Sequence, residues 1–168
     1  TSDTETAVCN LGSVNLARHV KDGQLDGDKI ARTVKTALRM LDNVIDLNFY
    51  PSDRAKASNL RHRPVGLGLM GETEAKVACG IDFASAAGVA FSDRAMELIS
   101  FHAIQASSAL AQERGAYETF PGSKWSRGLL PIDTARQRET SLGEAAWAEL
   151  RAQVQAQGMR NSNVMAIA

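Results

Sequence analysis

The spacing of hydrophobic positions predicts a long amphipathic helix in the first third of the chain. Asp28 is its expected N-cap, and the helix runs to about Asn48, before Pro51 prevents its continuation. Its apolar positions recur every three or four residues, as one buried helix face requires. They are Ile30, Val34, Ala37, Leu38, Leu41, Val44 and Ile45. Ser52 or Asp53 is expected to cap a short helix that follows.

A second long helix is predicted from Ser85 to about Arg114, with Gly115 as its C-cap. The apolar positions expected on its buried face are Val89, Met96, Ile99, Ala103, Ala106 and Leu110. Shorter helices are expected over residues 71–79, after Pro131, and over residues 144–157. In the last of these, the apolar positions Trp147, Leu150 and Val154 are expected to face inward.

Three short apolar runs predict buried strands. They are residues 6–16, which are expected to turn at Gly12, residues 65–70, and residues 163–168. Strands that alternate with long helices favour an α/β class with parallel strands. Three strands make only a small open sheet. The chain starts at Thr1 and stops within an apolar run, so we expect an internal piece of a larger protein.

Composition and charge exclude several classes of function. The 168 residues are 44% hydrophobic and 23% charged, which is typical of a globular protein and not of a disordered tail. The formal net charge is zero, which argues against nonspecific nucleic-acid binding. No apolar run approaches the roughly 20 residues that a membrane-spanning helix needs. Two cysteines are too few for a disulfide scaffold, which fits a reducing cytoplasm.

Candidate chemistry in the residues themselves is limited. Gly66, Gly68 and Gly71 spell the G-x-G-x-x-G pattern of dinucleotide sites, but the first two fall within a predicted strand, where they favour close strand packing instead. A lone cysteine such as Cys9 in an apolar strand is usually a small hydrophobe, although a redox role is possible with a partner thiol. The three histidines, His19, His62 and His102, lack metal-ligand spacing.

A local basic cluster precedes the glycine-rich strand. Its members are Arg54, Lys56, Arg61, His62 and Arg63. Such a cluster either binds a phosphate or an acidic partner, or forms a solvated loop.

Five stretches, in order and at similar spacing, together resemble the large catalytic subunit of ribonucleotide reductase. They span nearly the whole chain. They are residues 6–16, 40–48, 61–71, 127–134 and 160–168. The resemblance implies a ten-stranded α/β barrel made of two parallel five-stranded halves. Residues 1–168 are then a single incomplete segment of the catalytic barrel domain, and the three predicted strands are barrel staves.

The resemblance also implies a chemistry, the reduction of ribonucleoside diphosphates to 2′-deoxyribonucleotides. In this family a thiyl radical takes the 3′ hydrogen, the 2′ hydroxyl leaves as water, and two thiols supply two electrons and become a disulfide. Cys9 matches the second thiol of that reducing pair. Asn10 and Leu11 follow it and are expected to help line the substrate cleft. Cys79 does not match the first thiol and is expected to be structural.

Partners and cofactors follow from the same resemblance. The expected partners are a ribonucleotide, a small subunit whose dimetal site generates the radical, a second large subunit, and thioredoxin or glutaredoxin as reductant. ATP and deoxynucleotides are expected as effectors of the parent enzyme, and no metal or cofactor is expected within this chain. Its other thiols and its phosphate loop would lie outside residues 1–168, so the chain alone is expected to be inactive.

Three alternatives remain open at this point. An adenosylcobalamin-dependent reductase shares the barrel and the motif at Cys9. A dinucleotide-binding module would use Gly66, Gly68 and Gly71. A noncatalytic interaction domain would expose an apolar face on the helix over residues 85–114.

The family has more apolar residues where this chain has Glu72 and Glu74, which leaves the packing of the helix over residues 71–79 in question.

Overall fold

The computed structural model describes residues 2–134 and 140–166. It contains five helices of the α type within these ranges: α1 (Gly27–Leu47), α2 (Asp53–His62), α3 (Glu72–Ala78), α4 (Ala86–Arg114) and α5 (Glu144–Gln157). The strands are β1 (Asn10–Asn15), β2 (Val20–Lys21), β3 (Gln24–Leu25) and β4 (Val65–Met70). Short 3₁₀ turns span Leu16–His19 and Pro131–Thr134. The fold is mixed α/β, as the sequence predicted.

The central sheet is built from parallel segments. β1 pairs with β4 in parallel, from Asn10 opposite Val65 to Asn15 opposite Met70. The other edge of β4 receives residues 163–166, which form one parallel bridge between Leu67 and Met165. The amides of Val65 and Leu67 donate to the carbonyls of Asn163 and Val164, each at 3.0 Å. The third predicted strand is therefore a bridged segment as far as residue 166, and residues 167–168 lie outside the described ranges.

The N-terminal strand is shorter than predicted and does not turn at Gly12. Gly12 lies inside β1 opposite Leu67, where a side chain would still have ordinary contacts. The chain turns after Asn15, whose side chain accepts from the amide of Ala17 and caps the 3₁₀ turn. β2 and β3 then form a small antiparallel hairpin. A tight turn at Asp22 and Gly23 joins these two strands.

Helix boundaries agree with the sequence apart from one cap. Ser52 and Ser85 cap α2 and α4, and Gly115 ends α4. For α1 the predicted cap at Asp28 is wrong. Asp26 caps the helix by accepting from the amide of Lys29 at 2.9 Å, and Asp28 lies in the first turn. There its negative charge interacts favourably with the positive end of the helix dipole.

The core lies between the sheet and α1, α4 and α5. Ile30, Val34, Leu38 and Ile45 of α1 are fully buried, as are Ile99, Ala103 and Ile104 of α4. Trp147, Leu150 and Val154 of α5 face inward as predicted. Val44 and Val89 are exposed instead, because they lie at the margin of their helix faces. α4 is thus largely a core helix, which argues against the alternative of an interaction domain that presents it to a partner.

The helix around Glu72 packs through a buried ion pair. Lys76 is only 3% exposed, and its ammonium lies 2.8 Å from Glu72 and 2.9 Å from the Ser92 hydroxyl. The same ammonium lies 4.2 Å from the centre of the Phe83 ring. Glu72 therefore has a structural partner where relatives were expected to carry apolar residues. Within the described ranges, no helix is both long enough and apolar enough to cross a membrane.

Candidate active site

Cys9 lies directly before β1, and its side chain is exposed. The expectation that it lies buried within a strand is wrong, because the ladder with β4 begins one residue later, at Asn10. The thiol Sγ is 3.6 Å from the carbonyl oxygen of Asn10, to which it donates. The protein around the sulfur desolvates it and raises the pKa of the Cys9 thiol. Desolvation thus favours the protonated thiol over the thiolate.

The Cys9 thiol lies next to Gly66, a strand residue without a side chain. A Cβ built on Gly66 would lie 3.6 Å from Cys9 Sγ and only 2.6 Å from Leu11 Cδ2 and from the Ala166 Cβ. Glycine at position 66 thus allows three parallel segments to approach one another closely, as the sequence suggested for the glycines of this strand. The same close approach brings Cys9 and Leu11 together on one face of the sheet.

The two sheet faces differ in what covers them. Val14, Val65 and Leu67 point to the covered face and are buried against the helices. Leu11 and Ser13 alternate with them and are exposed on the other side, which we call the open face. Cys9 therefore lies at one end of the open face.

Asn10 and Leu11 are separated by the alternation of the strand. Leu11 is 67% exposed on the open face, next to Cys9. The Asn10 side chain points the other way, and its Nδ2 is buried without a hydrogen-bond partner among the described residues. Residues 2–134 and 140–166 offer this amide no acceptor, and a buried donor without one costs about 1–3 kcal/mol.

The glycine motif does not form a nucleotide loop. Gly66 and Gly68 are strand residues paired with β1, and the neighbouring amides of Val65 and Leu67 bond to residues 163 and 164. Gly71 adopts a left-handed conformation, with φ of 68°, at the start of α3. A dinucleotide site needs free amides at a turn between strand and helix, so the geometry disfavours that alternative.

Most of the basic cluster is paired inside the protein, and it lies on α2 and its cap instead of in a solvated loop. Arg61 bonds to Glu5 and Glu118, at 3.1 and 3.0 Å. His62 lies between Glu5 and Thr119. Arg63 is 5% exposed and ends α2 in a left-handed conformation. These three side chains are occupied by internal partners, which leaves little of the cluster for a phosphate.

A buried polar network around Asp42 was missed by the sequence interpretation. Asp42 is completely buried, and its carboxylate accepts from Arg63, Arg114 and Arg160 at 3.0, 3.0 and 3.4 Å. Asn161 Nδ2 donates to the same carboxylate at 3.2 Å. We call these five residues the Asp42 hub. Its signal was present in the sequence, since Asp42 continues the i, i+4 series of Ile30, Val34 and Leu38 on the buried face of α1.

The hub holds the start of the third parallel segment. Asn161 also donates to the carbonyl of Arg63 at 3.0 Å, and its side-chain oxygen accepts from the Ser107 hydroxyl of α4 at 2.9 Å. Asn163, two residues on, donates to the carbonyl of Val65. The hub therefore sets where residues 163–166 run beside β4, and so where Ala166 meets Gly66.

Metal binding has no support in the side chains of the described ranges. Within residues 2–134 and 140–166, no three His, Cys, Asp or Glu side chains lie close enough together to hold an ion. Both cysteines are free thiols, and Cys79 is half-buried at the end of α3. It packs against the hydrophobic core, as a structural cysteine does.

Comparison with known proteins gives a consistent picture. The chain is 51% identical, over 99% of its length, to the ribonucleoside-diphosphate reductase subunit alpha of Chlamydia muridarum, and covers 17% of that protein. It is 44% identical to the subunit alpha of Helicobacter pylori, over 99% of the chain and 21% of the relative. With the large chain of Schizosaccharomyces pombe the identity is 41%, over 98% of the chain and 20% of the relative.

The chain thus spans about a fifth of the length of these curated relatives. A family model described as the barrel domain of ribonucleotide reductase matches residues 1–168. The parallel strands, the free thiol at Cys9 and the close packing at Gly66 are all compatible with that match. This chain belongs to the ribonucleotide reductase barrel domain family.

Proposed function

We propose that this chain is part of an enzyme that reduces ribonucleoside diphosphates to 2′-deoxyribonucleotides, and that Cys9 is one of its two reducing thiols. The observation that carries the proposal is the exposed, unpaired thiol of Cys9 at the end of the open face. Family membership supplies the reaction. The relatives named above are ribonucleoside-diphosphate reductases, which favours the diphosphate as substrate.

The proposed chemistry at Cys9 balances as a two-electron reduction. The substrate C2′ loses its hydroxyl as water and gains a hydrogen. Cys9 and a second thiol outside this chain lose two hydrogens and form a disulfide. A raised thiol pKa suits this role, because the protonated thiol carries the hydrogen that the reaction consumes. A thioredoxin-type dithiol then restores both thiols by disulfide exchange.

Leu11 and Asn10 are proposed to act on the substrate in different ways. Leu11 lies beside Cys9 on the open face and offers an apolar wall to the ribose. The Asn10 amide lies on the other side of β1, where its unpartnered donor supports a polar contact with another part of the parent protein or with the substrate. We therefore place Leu11 in the cleft through its side chain and give Asn10 a supporting position.

The barrel architecture extends the same proposal. β1, β4 and residues 163–166 are adjacent parallel segments, and the described helices pack against the covered face. In a ten-stranded barrel they would be three neighbouring staves, with the open face toward the interior. Residues 1–168 would then be one incomplete segment of the catalytic domain. That arrangement brings Cys9 to the interior, where the substrate binds.

The remaining partners belong to the proposed parent enzyme. They are a small subunit that generates the radical at a dimetal site, a second large subunit, thioredoxin or glutaredoxin, and ATP and deoxynucleotides as effectors. The diphosphate-reductase names of the relatives favour this class over the adenosylcobalamin-dependent one. A parent enzyme that turns over with adenosylcobalamin and no small subunit would contradict that choice.

The test is a cysteine substitution in the full-length parent enzyme. Cys9→Ser is expected to abolish turnover of a ribonucleoside diphosphate with a thioredoxin-type reductant, because the disulfide cannot form. Cys79→Ser is the matched control, since Cys79 packs against the core, and it is expected to retain turnover. Sustained thioredoxin-dependent turnover by Cys9→Ser would show that Cys9 is not a reducing thiol.

A further inference from the structure

The segment that carries Cys9 lies before the sheet and has no regular secondary structure. Residues 2–9 lie before the first strand, and every side chain among them except Glu5 is exposed. From Asn10 onward the backbone is fixed by pairing with β4. The position of Cys9 therefore depends on β1 and also on the contacts that hold the chain upstream of it.

Glu5 is the side chain that attaches this segment. Its Oε1 accepts from Arg61 Nη1 at 3.1 Å, and its Oε2 accepts from His62 Nε2 at 3.2 Å. The Glu5 side chain is only 18% exposed. The next amide, of Thr6, donates to the carbonyl of Arg54 at 3.3 Å. Both oxygens of one carboxylate are thus engaged by adjacent residues in the last turn of α2.

The attachment point is itself held firmly. His62 Nδ1 lies 2.7 Å from the Thr119 hydroxyl, which orients the ring so that Nε2 faces Glu5. Arg61 Nε donates to Glu118 at 3.0 Å. The following residue, Arg63, is buried in the Asp42 hub. Glu5 therefore connects the thiol segment to the end of a helix that the hub fixes in place.

The hydrogen bonds favour the ionised form of the Glu5 carboxyl. Those from His62 and then from Arg61 lower the pKa of the Glu5 carboxyl below its usual value. The carboxylate therefore persists at neutral and mildly acidic pH. Charge-assisted hydrogen bonds of this kind are shorter and stronger than neutral ones.

We infer that Glu5 is a positioning residue for the Cys9 thiol, acting through its contacts with Arg61 and His62. Only residues 6–8 separate Glu5 from Cys9, and β1 begins just after Cys9, so the thiol lies on a short span that β1 holds downstream and that two anchors, the Glu5 side chain and the Thr6 amide, hold upstream. Releasing one anchor gives the span more conformations and moves the sulfur away from Gly66 for part of the time. This inference rests on the proposed function of Cys9 and adds the residue that holds it in place.

The test uses the full-length parent enzyme and alkylation of Cys9 by iodoacetamide, measured on the peptide that contains it. Glu5→Gln and Arg61→Gln are each expected to speed this alkylation by about threefold or more, because a released sulfur is less desolvated and more of it is thiolate. Asp3→Asn is the matched control. Asp3 is an exposed acidic residue on the same segment, and its substitution is expected to leave the rate unchanged.

Turnover supplies a second readout. Both variants are expected to lower kcat with a thioredoxin-type reductant and to leave KM for the nucleotide unchanged, because the contact positions the thiol and does not touch substrate. Arg61→Gln retains the Glu5 residue and removes one of its two side-chain partners, so it decides the matter if Glu5→Gln fails to fold. Alkylation rates of both variants equal to that of Asp3→Asn would overturn the inference, even if the variants were less stable. Failure of the proposed role of Cys9 would be detected separately, because the Cys9→Ser variant would then retain full turnover.

Discussion

The Asp42 hub and the segment of residues 2–9, here called the Cys9 segment, are polar regions that border the parallel sheet, and they are built in opposite ways. The hub buries a carboxylate completely and surrounds it with three guanidinium groups and an amide. The Cys9 segment is exposed, has no regular structure, and is attached mainly through Glu5. The hub contains the stronger interactions, yet the candidate chemistry lies on the weaker region.

The difference reflects what each region has to do. A buried carboxylate with several charged donors defines one geometry, because any other leaves a charge without a partner. A thiol that alternates between a substrate and a disulfide partner has to remain accessible. The hub fixes residues 160–163 and the end of α2, and the Cys9 segment is attached to that fixed end. Rigid and accessible parts of the site are therefore adjacent but distinct.

The strongest test of this contrast removes the centre of the hub. Asp42→Asn in the full-length subunit is expected to lower the free energy of unfolding by about 3 kcal/mol or more, because Arg63, Arg114 and Arg160 each lose a charged partner that is completely buried. Urea unfolding of the variant against the parent measures the loss.

Asp46→Asn is the control for that change. Asp46 bonds to Arg63 through both carboxylate oxygens but is 48% exposed, so its loss is expected to cost about 1 kcal/mol or less. Equal losses for Asp42→Asn and Asp46→Asn would mean that burial does not distinguish the hub from an ordinary surface pair.

A second test addresses the close packing beside Cys9. Gly66→Ala is expected to cost about 1–3 kcal/mol, because the new Cβ would lie 2.6 Å from Leu11 Cδ2 and from the Ala166 Cβ, and neither β1 nor residues 163–166 can move freely. The same displacement should reduce turnover of the parent enzyme.

Gly12→Ala provides the comparison within the same sheet. Gly12 also lies in a strand, but the nearest side-chain atoms to its added Cβ would be 3.7 Å away, which is ordinary contact. Little change in stability is expected. If thermal unfolding and turnover responded alike to both substitutions, the close approach at Gly66 would have no special role.

The smallest expected effect concerns Glu97, whose exposure is intermediate between that of the buried Asp42 and that of the Cys9 segment. Partial burial raises the pKa of Glu97, but hydrogen bonds from Ser141, Thr140 and Trp147 outweigh it and lower the pKa to about 2, from an ordinary 4.5. Because the folded-state pKa is the lower one, its stabilisation is present above pH 4.5 and is lost as the pH falls toward 2. Glu97→Gln is expected to cost about 1 kcal/mol at pH 7.

The measurement compares urea unfolding of Glu97→Gln and the parent at pH 7 and at pH 3. The difference between them should shrink at the lower pH. Glu149→Gln, an exposed glutamate on α5, should show no difference at either pH. A Glu97 effect that is constant from pH 7 to pH 3 would contradict the assigned pKa shift.

Helices were more predictable from sequence than the site. α4 was predicted at both ends, because Ser85 and Gly115 are local signals that act within one turn. At α1 the sequence offers two aspartates near the start, and the geometry of the preceding hairpin selects Asp26 over Asp28. Strand β4 was predicted with its exact bounds, but β1 was placed too early and given a false turn at Gly12. In the sequence alone, a glycine within a strand cannot be distinguished from a glycine in a turn, because the strand that pairs with it is not known.

The candidate site was predicted only through resemblance. By itself, Cys9 in an apolar stretch suggests a small buried hydrophobe, and only the pairing of β1 shows that the ladder starts after it and leaves the thiol exposed. The Asp42 hub joins residues that are up to 119 positions apart in the chain, so no local pattern could identify its partners. The partners of the basic cluster are also distant in the chain: Arg61 and His62 bond to Glu5, and Arg63 bonds to Asp42. No local pattern could therefore show how the cluster divides.

The amino-acid sequence by itself determined the α/β class, the two long helices, both caps of α4, the glycine-rich strand, and the motifs that identify the family. These follow from hydrophobic periodicity and from hydrogen bonds within a few residues. Tertiary structure alone decided the exposure of Cys9, the separation of Leu11 from Asn10 across the sheet, and the partners of Asp42 and Glu5. The physical reason is that exposure, close approach and ion pairing depend on which distant segments meet, and that is settled only when the parallel segments and helices pack together.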